Sequence, residues 1–419
     1  MYYKHLNKLI ESFTSGTFNS ENELLDEVQK SLIKHSDTSI IGGRIWKLDV
    51  TKQNYRLIKQ NGRMPKIEKD FTIPISKYPV LSLFENERTI LGNETLHELI
   101  EKGIFRYAAT GIGNKISIKN KRYYEYLLAF NSTTLNQDFR YSLDIIAAVL
   151  TSKIKEWRTN QKKHILQEDL DKARELQKSI LPQHELEFDD YEVYGVTVPA
   201  EIVGGDFFDY ISHSEDPDRV GIALGDAASK GVAAAAEAMY ISGALRMASS
   251  LEIKIAPMFR KLNQLTHKIF GDDKFTSLFY GELFKQQNGL FIYASAGHNP
   301  PLFYRSELGS ITKLDVTGPV LGPAPKMNYN VSNINFSKGD ILVIFSDGLL
   351  DSTNDKYEAF DEDRLIEVLV QNARRSAKDI AVKIIESVVT YSYNGSYNDD
   401  KTVVVIKKGA IKPGKQIKK

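Results

Sequence analysis

Apolar residues recur along this chain with two periods, and the switches between them divide it into three regions. Up to about residue 140 the signals are mixed. Leu24, Leu25, Val28, Leu32 and Ile33 recur at helical spacing within Ser12–Ser36, whereas Ile40–Lys59 and Tyr123–Asn131 are dense in aromatic and aliphatic residues. The second of these predicts a buried strand. From Arg140 to Leu181 the period is helical. Leu143, Ile146, Leu150, Ile154 and Trp157 are followed by a polar gap at Asn160–His164, and then by Leu166, Leu170, Ala173, Leu176 and Ile180. Pro182 ends the run, because its ring removes a donor and clashes with the preceding turn. About forty helical residues would extend about 60 Å, which suits a connecting or coiled-coil helix. Two ordinary helices meeting at the polar gap are the other reading.

Beyond residue 183 short strand-like runs dominate: Val193–Val198, Val220–Leu224, Leu290–Ala294, Ile341–Phe345 and Thr402–Ile406. Helical stretches at Gly231–Ser249, Ile255–Phe270 and Asp363–Thr390 interrupt them without regular alternation. That order predicts an α+β domain with antiparallel sheets rather than a Rossmann-type fold. The expected organisation is an N-terminal domain (1–140), a linker helix (141–182), a larger domain (183–408) and a basic tail (409–419). Lysines at 412, 415, 418 and 419 mark that tail, with Lys407 and Lys408 just before it, and the run is expected to be solvated rather than bound to an anionic partner.

Composition narrows the chemistry. The 419 residues carry 55 Lys+Arg against 54 Asp+Glu, a net charge of +1, which argues against a nucleic-acid binder. There is no cysteine, so disulfides, thiolate metal sites and cysteine nucleophiles are excluded. The longest apolar run, Ile145–Leu150, is far short of the ~20 residues that span a bilayer. The N-terminus (Met1-Tyr2-Tyr3-Lys4-His5) has no signal-peptide core. A soluble, cytoplasmic protein is expected.

The candidate chemistry sits at strand ends. Gly204-Gly205-Asp206-Phe207-Phe208-Asp209 follows the first strand-like run, Gly225-Asp226-Ala227-Ala228-Ser229-Lys230-Gly231 the second, and Ser346-Asp347-Gly348-Leu349-Leu350-Asp351 the Ile341–Phe345 run. Asn398-Asp399-Asp400-Lys401 precedes the last strand. Any one of these could be a turn, since glycine and aspartate favour turns. Four strand-end acids in one domain would repel each other, and a cluster of them calls for cations. Oxygen donors without cysteine favour Mg²⁺ or Mn²⁺. Two such ions can activate water for in-line displacement at phosphorus, so the acids point to a metal-dependent phosphate-ester hydrolase.

Residues 172–408 resemble the SpoIIE-type bacterial branch of the protein phosphatase 2C-like family of serine/threonine phosphatases. The resemblance runs through Ala173–Pro182, the four acidic motifs, Phe275-Thr276-Ser277-Leu278, Ala296-Gly297-His298-Asn299-Pro300-Pro301 and Gly318-Pro319-Val320-Leu321-Gly322. It implies an α-β-β-α sandwich with two Mn²⁺ or Mg²⁺ ions between its sheets. By the same resemblance Asp226 bridges both ions, with the Ala227 carbonyl as a further ligand. Asp347 and Asp399 are direct ligands of one ion, Asp206 is reached directly or through water, and Asp351 belongs to a weaker third site. The implied reaction is hydrolysis of phosphoserine or phosphothreonine by metal-activated water. A small STAS-domain, anti-anti-sigma-like phosphoprotein is the implied partner, and dimerisation through the linker helix is implied as well.

The sequence departs from the family pattern at Ser229, where glycine is usual; a left-handed backbone there would strain serine and shift the Ala227 carbonyl. Asp400 stands where eukaryotic relatives have Asn, which puts direct ligation in doubt. The histidine that follows the bridging acid in eukaryotic members is absent, as is usual in the bacterial branch, so no general acid is assigned, and His298 reads as a structural turn residue. Two competing functions are a catalytically inactive scaffold and a diguanylate cyclase. Gly204-Gly205-Asp206-Phe207-Phe208 is one residue from the cyclase signature GGDEF, but Phe207 cannot replace its acidic ligand, and the other three acids would be unexplained. Residues 1–140 resemble a GAF-type sensor, through Gly42-Gly43-Arg44-Ile45-Trp46, Tyr126–Phe130 and the helix from Phe139.

Overall fold

The computed structural model describes residues 10–13, 15–16, 18–35, 40–133, 135–213, 216–270, 274–285, 289–395 and 399–409. The lysines expected in a basic tail beyond Gly409, and also His5 and Asn398, lie outside the described residues. The chain divides into two compact units, Met1–Leu166 and Gln167–Lys419. Among the described residues no helix is long and apolar enough to cross a membrane.

The N-terminal unit is built on one six-stranded antiparallel sheet. Its strands are β1 (Ile40–Asp49), β2 (Asn54–Gly62), β3 (Thr72–Pro74), β4 (Thr89–Asn93), β5 (Arg106–Ile118) and β6 (Lys121–Ser132), in the order β3-β2-β1-β6-β5-β4. Successive residues on a strand face opposite sides, and here both sides are covered. Ile45, Tyr126 and Leu128 pack against α1 (Glu21–His35) and the first half of a long helix, through Leu25, Val28, Leu143 and Ile146. Trp46, Leu57 and Leu127 face the other way, onto Tyr78, Phe84 and Leu99 of the β3–β5 connections, the last on the short helix α2 (His97–Glu101). Double-sided burial is why Tyr123–Asn131 reads as a continuous apolar run.

The long helix, α3, runs from Gln137 to Ile180 as one 44-residue element. The two-helix alternative is therefore set aside: the gap Asn160–His164 holds only Asn, Gln, Lys and His, with no glycine or proline to break a helix. Its buried residues end at Ile154. Farther on, Ile165, Leu166 and Leu176 are exposed. The division between the two compact units falls inside this helix, at Leu166/Gln167.

The C-terminal unit contains two antiparallel sheets. The first is formed by β9 (Asp206–Ser212), β10 (Arg219–Ala227), β11 (Thr276–Phe284), β12 (Leu290–Ala296) and β15 (Ser332–Asn335), in the order β15-β12-β11-β10-β9. The second holds β7 (Glu185–Phe188), β8 (Tyr191–Val198), β13 (Leu302–Arg305), β14 (Ser310–Lys313), β16 (Ile341–Phe345) and β17 (Lys401–Lys408), in the order β14-β13-β16-β17-β8-β7. Phe208, Leu224 and Phe279 of the first sheet meet Val193, Ile344 and Val404 of the second in a shared core. The outer face of the first sheet packs on α4 (Gly231–Ser250) and α5 (Ile255–Phe270). That of the second packs on α6 (Asp361–Asn372) and α7 (Ala377–Tyr391). The result is the expected α+β sandwich. One expectation changes: the Asp363–Thr390 stretch is two helices, because the Ser376 hydroxyl caps the second by accepting from the Asp379 N–H.

Candidate acidic site

Sheet register brings the first two acids together. Asp226 lies on the last turn of pleat of β10, opposite Asp206 on β9 and opposite Ser277 on β11. Asp347 opens the short 3₁₀ turn that follows β16, and Asp399 sits just before β17, the strand paired with β16. Four strand ends from two sheets thus converge at one edge of the sandwich.

The electrostatics mark the convergence. Burial raises the pKa of Asp226 to about 7, with Asp347 and Asp399 adding to the shift and a hydrogen bond with Asp206 opposing it. Asp206 is only 2% exposed. Burial and the neighbouring Asp226 push its pKa well up, and its Oδ2 is buried without a hydrogen-bond partner. Asp347 is exposed at the mouth, yet partial desolvation, Asp351 and Asp399 raise its pKa as well. Asp399 is half-buried, with the Lys230 ammonium 3.7 Å from its Oδ2. Asp351 is exposed and donates its N–H to the Asp347 carbonyl at 2.9 Å. Among the described residues no three His, Asp or Glu groups are already closed up to hold a metal ion.

Asp400 has a different task, one its sequence position did not reveal. Its carboxylate accepts from the backbone N–H groups of Ala200 (2.8 Å), Gly205 (2.6 Å) and Asp206 (3.2 Å). With its oxygens so engaged, it holds the Gly204-Gly205-Asp206 loop. The paired glycines follow from this: a Cβ on Gly204 would lie 2.3 Å from Asp400 Oδ2, and one on Gly205 2.8 Å from the Ala227 carbonyl oxygen. The second acid of the same motif, Asp209, is buried in a two-point pair with Arg246 of α4. Arg246 also donates to the carbonyl of Ile180 at 2.8 Å, at the end of α3. Gln177, one turn earlier, exchanges two hydrogen bonds with Gly204: its Nε2 donates to the carbonyl at 2.7 Å and its Oε1 accepts from the N–H at 3.2 Å. The helix end is therefore wired to the loop that carries Asp206.

Strain at Ser229 is not found. The left-handed residue of this loop is Gly231, at φ 63°, and Ser229 is absent from the positive-φ residues. Its hydroxyl donates instead to Glu237 of α4 at 2.7 Å, and Lys274 pairs with the same carboxylate. Ala227 remains buried in its strand. His298 is buried too, with Nδ1 2.7 Å from the Ser277 hydroxyl, and burial pulls its pKa down to about 3. It is thus neutral in the folded protein and protonated in the unfolded chain below about pH 6.5. As pH falls through 6.5 toward 3, the unfolded state takes up a proton that the folded state refuses, so stability falls. Urea unfolding of His298→Asn should show a shallower loss over this window, by up to about 1.4 kcal/mol per pH unit; an unchanged slope would assign the acid sensitivity elsewhere.

Residues 216–409 match the family model of stage II sporulation protein E (SpoIIE), a span that includes Asp226, Asp347 and Asp399 and begins after Asp206. The chain is similar to the phosphoserine phosphatase RsbU of Bacillus subtilis (strain 168), at 25% identity over 281 residues, covering 66% of this chain and 82% of RsbU. It is also similar to the protein IcfG of Synechocystis sp., at 27% identity over 266 residues, covering 57% of this chain and 41% of IcfG. Among solved structures, the SiaA-PP2C domain of Pseudomonas aeruginosa shares the fold, with a TM-score of 0.51 and 20% identity over 59% of this chain and 98% of that one. The C-terminal unit thus has the fold of a PP2C domain, and its residues 216–409 match the SpoIIE family model.

Proposed function

We propose that the protein is a cytoplasmic, metal-dependent protein serine/threonine phosphatase that hydrolyses phosphoserine or phosphothreonine. The observation that carries this reading is the convergence of Asp206, Asp226, Asp347 and Asp399, with a buried orphan oxygen on Asp206 and raised carboxyl pKa values on three of the four. Such a set is short of positive charge, and its donors are all hard oxygens, so it fits Mn²⁺ or Mg²⁺. In this reading Asp226 would be the shared donor and the Ala227 carbonyl a further one, Asp347 and Asp399 would hold one ion, Asp206 would act directly or through water, and Asp351 would serve a weaker third position. Bound there, the cations supply an activated water and neutralise charge on the phosphoryl group. The protein's own part is to fix the donors: Asp400 clamps the Asp206 loop, and Lys230 at the rim of the acids offers a cation toward an entering phosphate. The name of RsbU supports phosphoserine as the substrate, and a STAS-like phosphoprotein is the proposed partner.

The assay is hydrolysis of p-nitrophenyl phosphate and of a phosphoserine peptide by the full chain. Turnover is expected with Mn²⁺ or Mg²⁺ and is expected to vanish on chelation. No turnover with either ion would favour the scaffold reading, and cyclic dinucleotide formation from GTP would favour a cyclase.

In the same proposal the N-terminal unit is a GAF-like sensor that acts through α3, and the Gln177–Gly204 bonds support α3 as the switch. The exposed Ile165, Leu166 and Leu176 support dimerisation along its second half. Changing Leu166 and Leu170 to polar residues is expected to lower the dimer fraction and alter turnover. Unchanged mass by light scattering, together with an unchanged rate, would remove that role.

A further inference from the structure

The sheet face of the N-terminal unit opposite α1 and α3 carries a partly open cavity of about 80 Å³, room for on the order of six waters. Its wall is mostly apolar and aromatic, including Trp46, Leu81, Phe84 and Leu127. One lining residue breaks the pattern. Arg44, on β1, is 1% exposed. Its Nη2 donates to the carbonyls of Pro65 (2.9 Å) and Lys102 (3.1 Å), its Nη1 reaches Asn131 Oδ1 only at 3.4 Å, and its Nε is buried with no partner.

A buried cation normally has an anion beside it, because leaving it unpaired is costly. Burial alone pulls the Arg44 pKa down to about 10, and no neighbouring carboxylate opposes the shift. The carbonyls that touch it fix its place but bring no charge. Glu94 also lines the cavity, but one of its oxygens already accepts from the N–H groups of Thr95 and Leu96. Arg44 therefore lines the cavity with one N–H unpaired and no carboxylate bonded to its guanidinium.

We propose that this cavity binds a small organic carboxylate with an apolar body, its anionic end taken by Arg44 and its body by the aromatic wall. A guanidinium matches a carboxylate in charge and geometry. A single cation, with the Glu94 carboxylate on the same wall, disfavours a phosphate dianion. The inference deepens the sensor reading above, naming the class of signal. It is tested by binding rather than turnover, so either reading can fail without the other.

The experiment is isothermal titration of the full-length chain with isovalerate, hexanoate and phenylacetate, each against its amide. At least one acid is expected to bind, with the matching amide weaker by about tenfold or more. Arg44→Met, folded by circular dichroism, is expected to lose the preference for the acid. The proposal is overturned if wild type binds none of the acids at millimolar concentration, or if acid and amide bind alike. It is overturned equally if a folded Arg44→Met keeps the preference. The acid–amide comparison needs no variant, so it stands even if Arg44→Met does not fold.

Discussion

Asp226→Asn is expected to lower metal-dependent turnover by about three orders of magnitude or more, by removing a proposed shared metal donor. The residue holds the centre of the cluster: strand pairing sets it against Asp206, and Asp347 and Asp399 both act on its carboxyl group. Asparagine keeps the shape but removes one of the charges that the cluster has in excess. The cation-free variant is therefore expected to unfold at or above the temperature of cation-free wild type. The two measurements together separate chemistry from folding. Lost activity with retained stability supports the site, whereas near-normal turnover, together with near-normal turnover of Asp347→Asn, would refute it.

Asp400→Ala is expected to behave in the opposite way, losing stability and activity together. Three backbone N–H groups at Ala200, Gly205 and Asp206 would lose a charged acceptor, two of them buried, at a cost of about 3 kcal/mol or more. The loop that sets Asp206 would then be free to move. Raising the Mn²⁺ concentration should not restore turnover, since the damage lies in loop position and not in ion affinity. Asp400→Asn keeps one acceptor oxygen and is expected to fall between wild type and Ala. A stable Asp400→Ala with an activity defect cured by excess metal would make Asp400 a ligand after all.

These two neighbours show how far the sequence could be read. Asp399 and Asp400 are adjacent, of the same type and in the same motif, and the chain offers no local signal that one faces the acid cluster while the other faces a loop nearly two hundred residues earlier. Alternation across the strand start separates them, and only the folded sheet says which side is which. The same holds for Asp206 and Asp209. One joins the cluster, and the other is spent on Arg246, a helix residue with no sequence mark of its role. Ser229 was legible as a departure but not as a repair, because its partner Glu237 comes from the next helix.

What the sequence determined by itself was what is periodic or local. The two hydrophobic periods set which segments are strands and which are helices. Pro182 set the end of α3, and the strand-end glycine–aspartate pairs marked where chemistry could lie. The absence of cysteine restricted any metal to oxygen and nitrogen donors. Tertiary structure decided what depends on residues far apart in the chain meeting at close range. The register of β9 against β10 put Asp226 opposite Asp206. The closure of one sheet on the other gave Asp400 its three N–H partners, and the end of α3 meeting the loop before β9 gave Gln177 its Gly204. The double-sided packing of the N-terminal sheet left Arg44 buried without an anion. Periodicity is written into consecutive residues, whereas pairing, burial and desolvation are properties of the assembled core, and that is where the two kinds of information part.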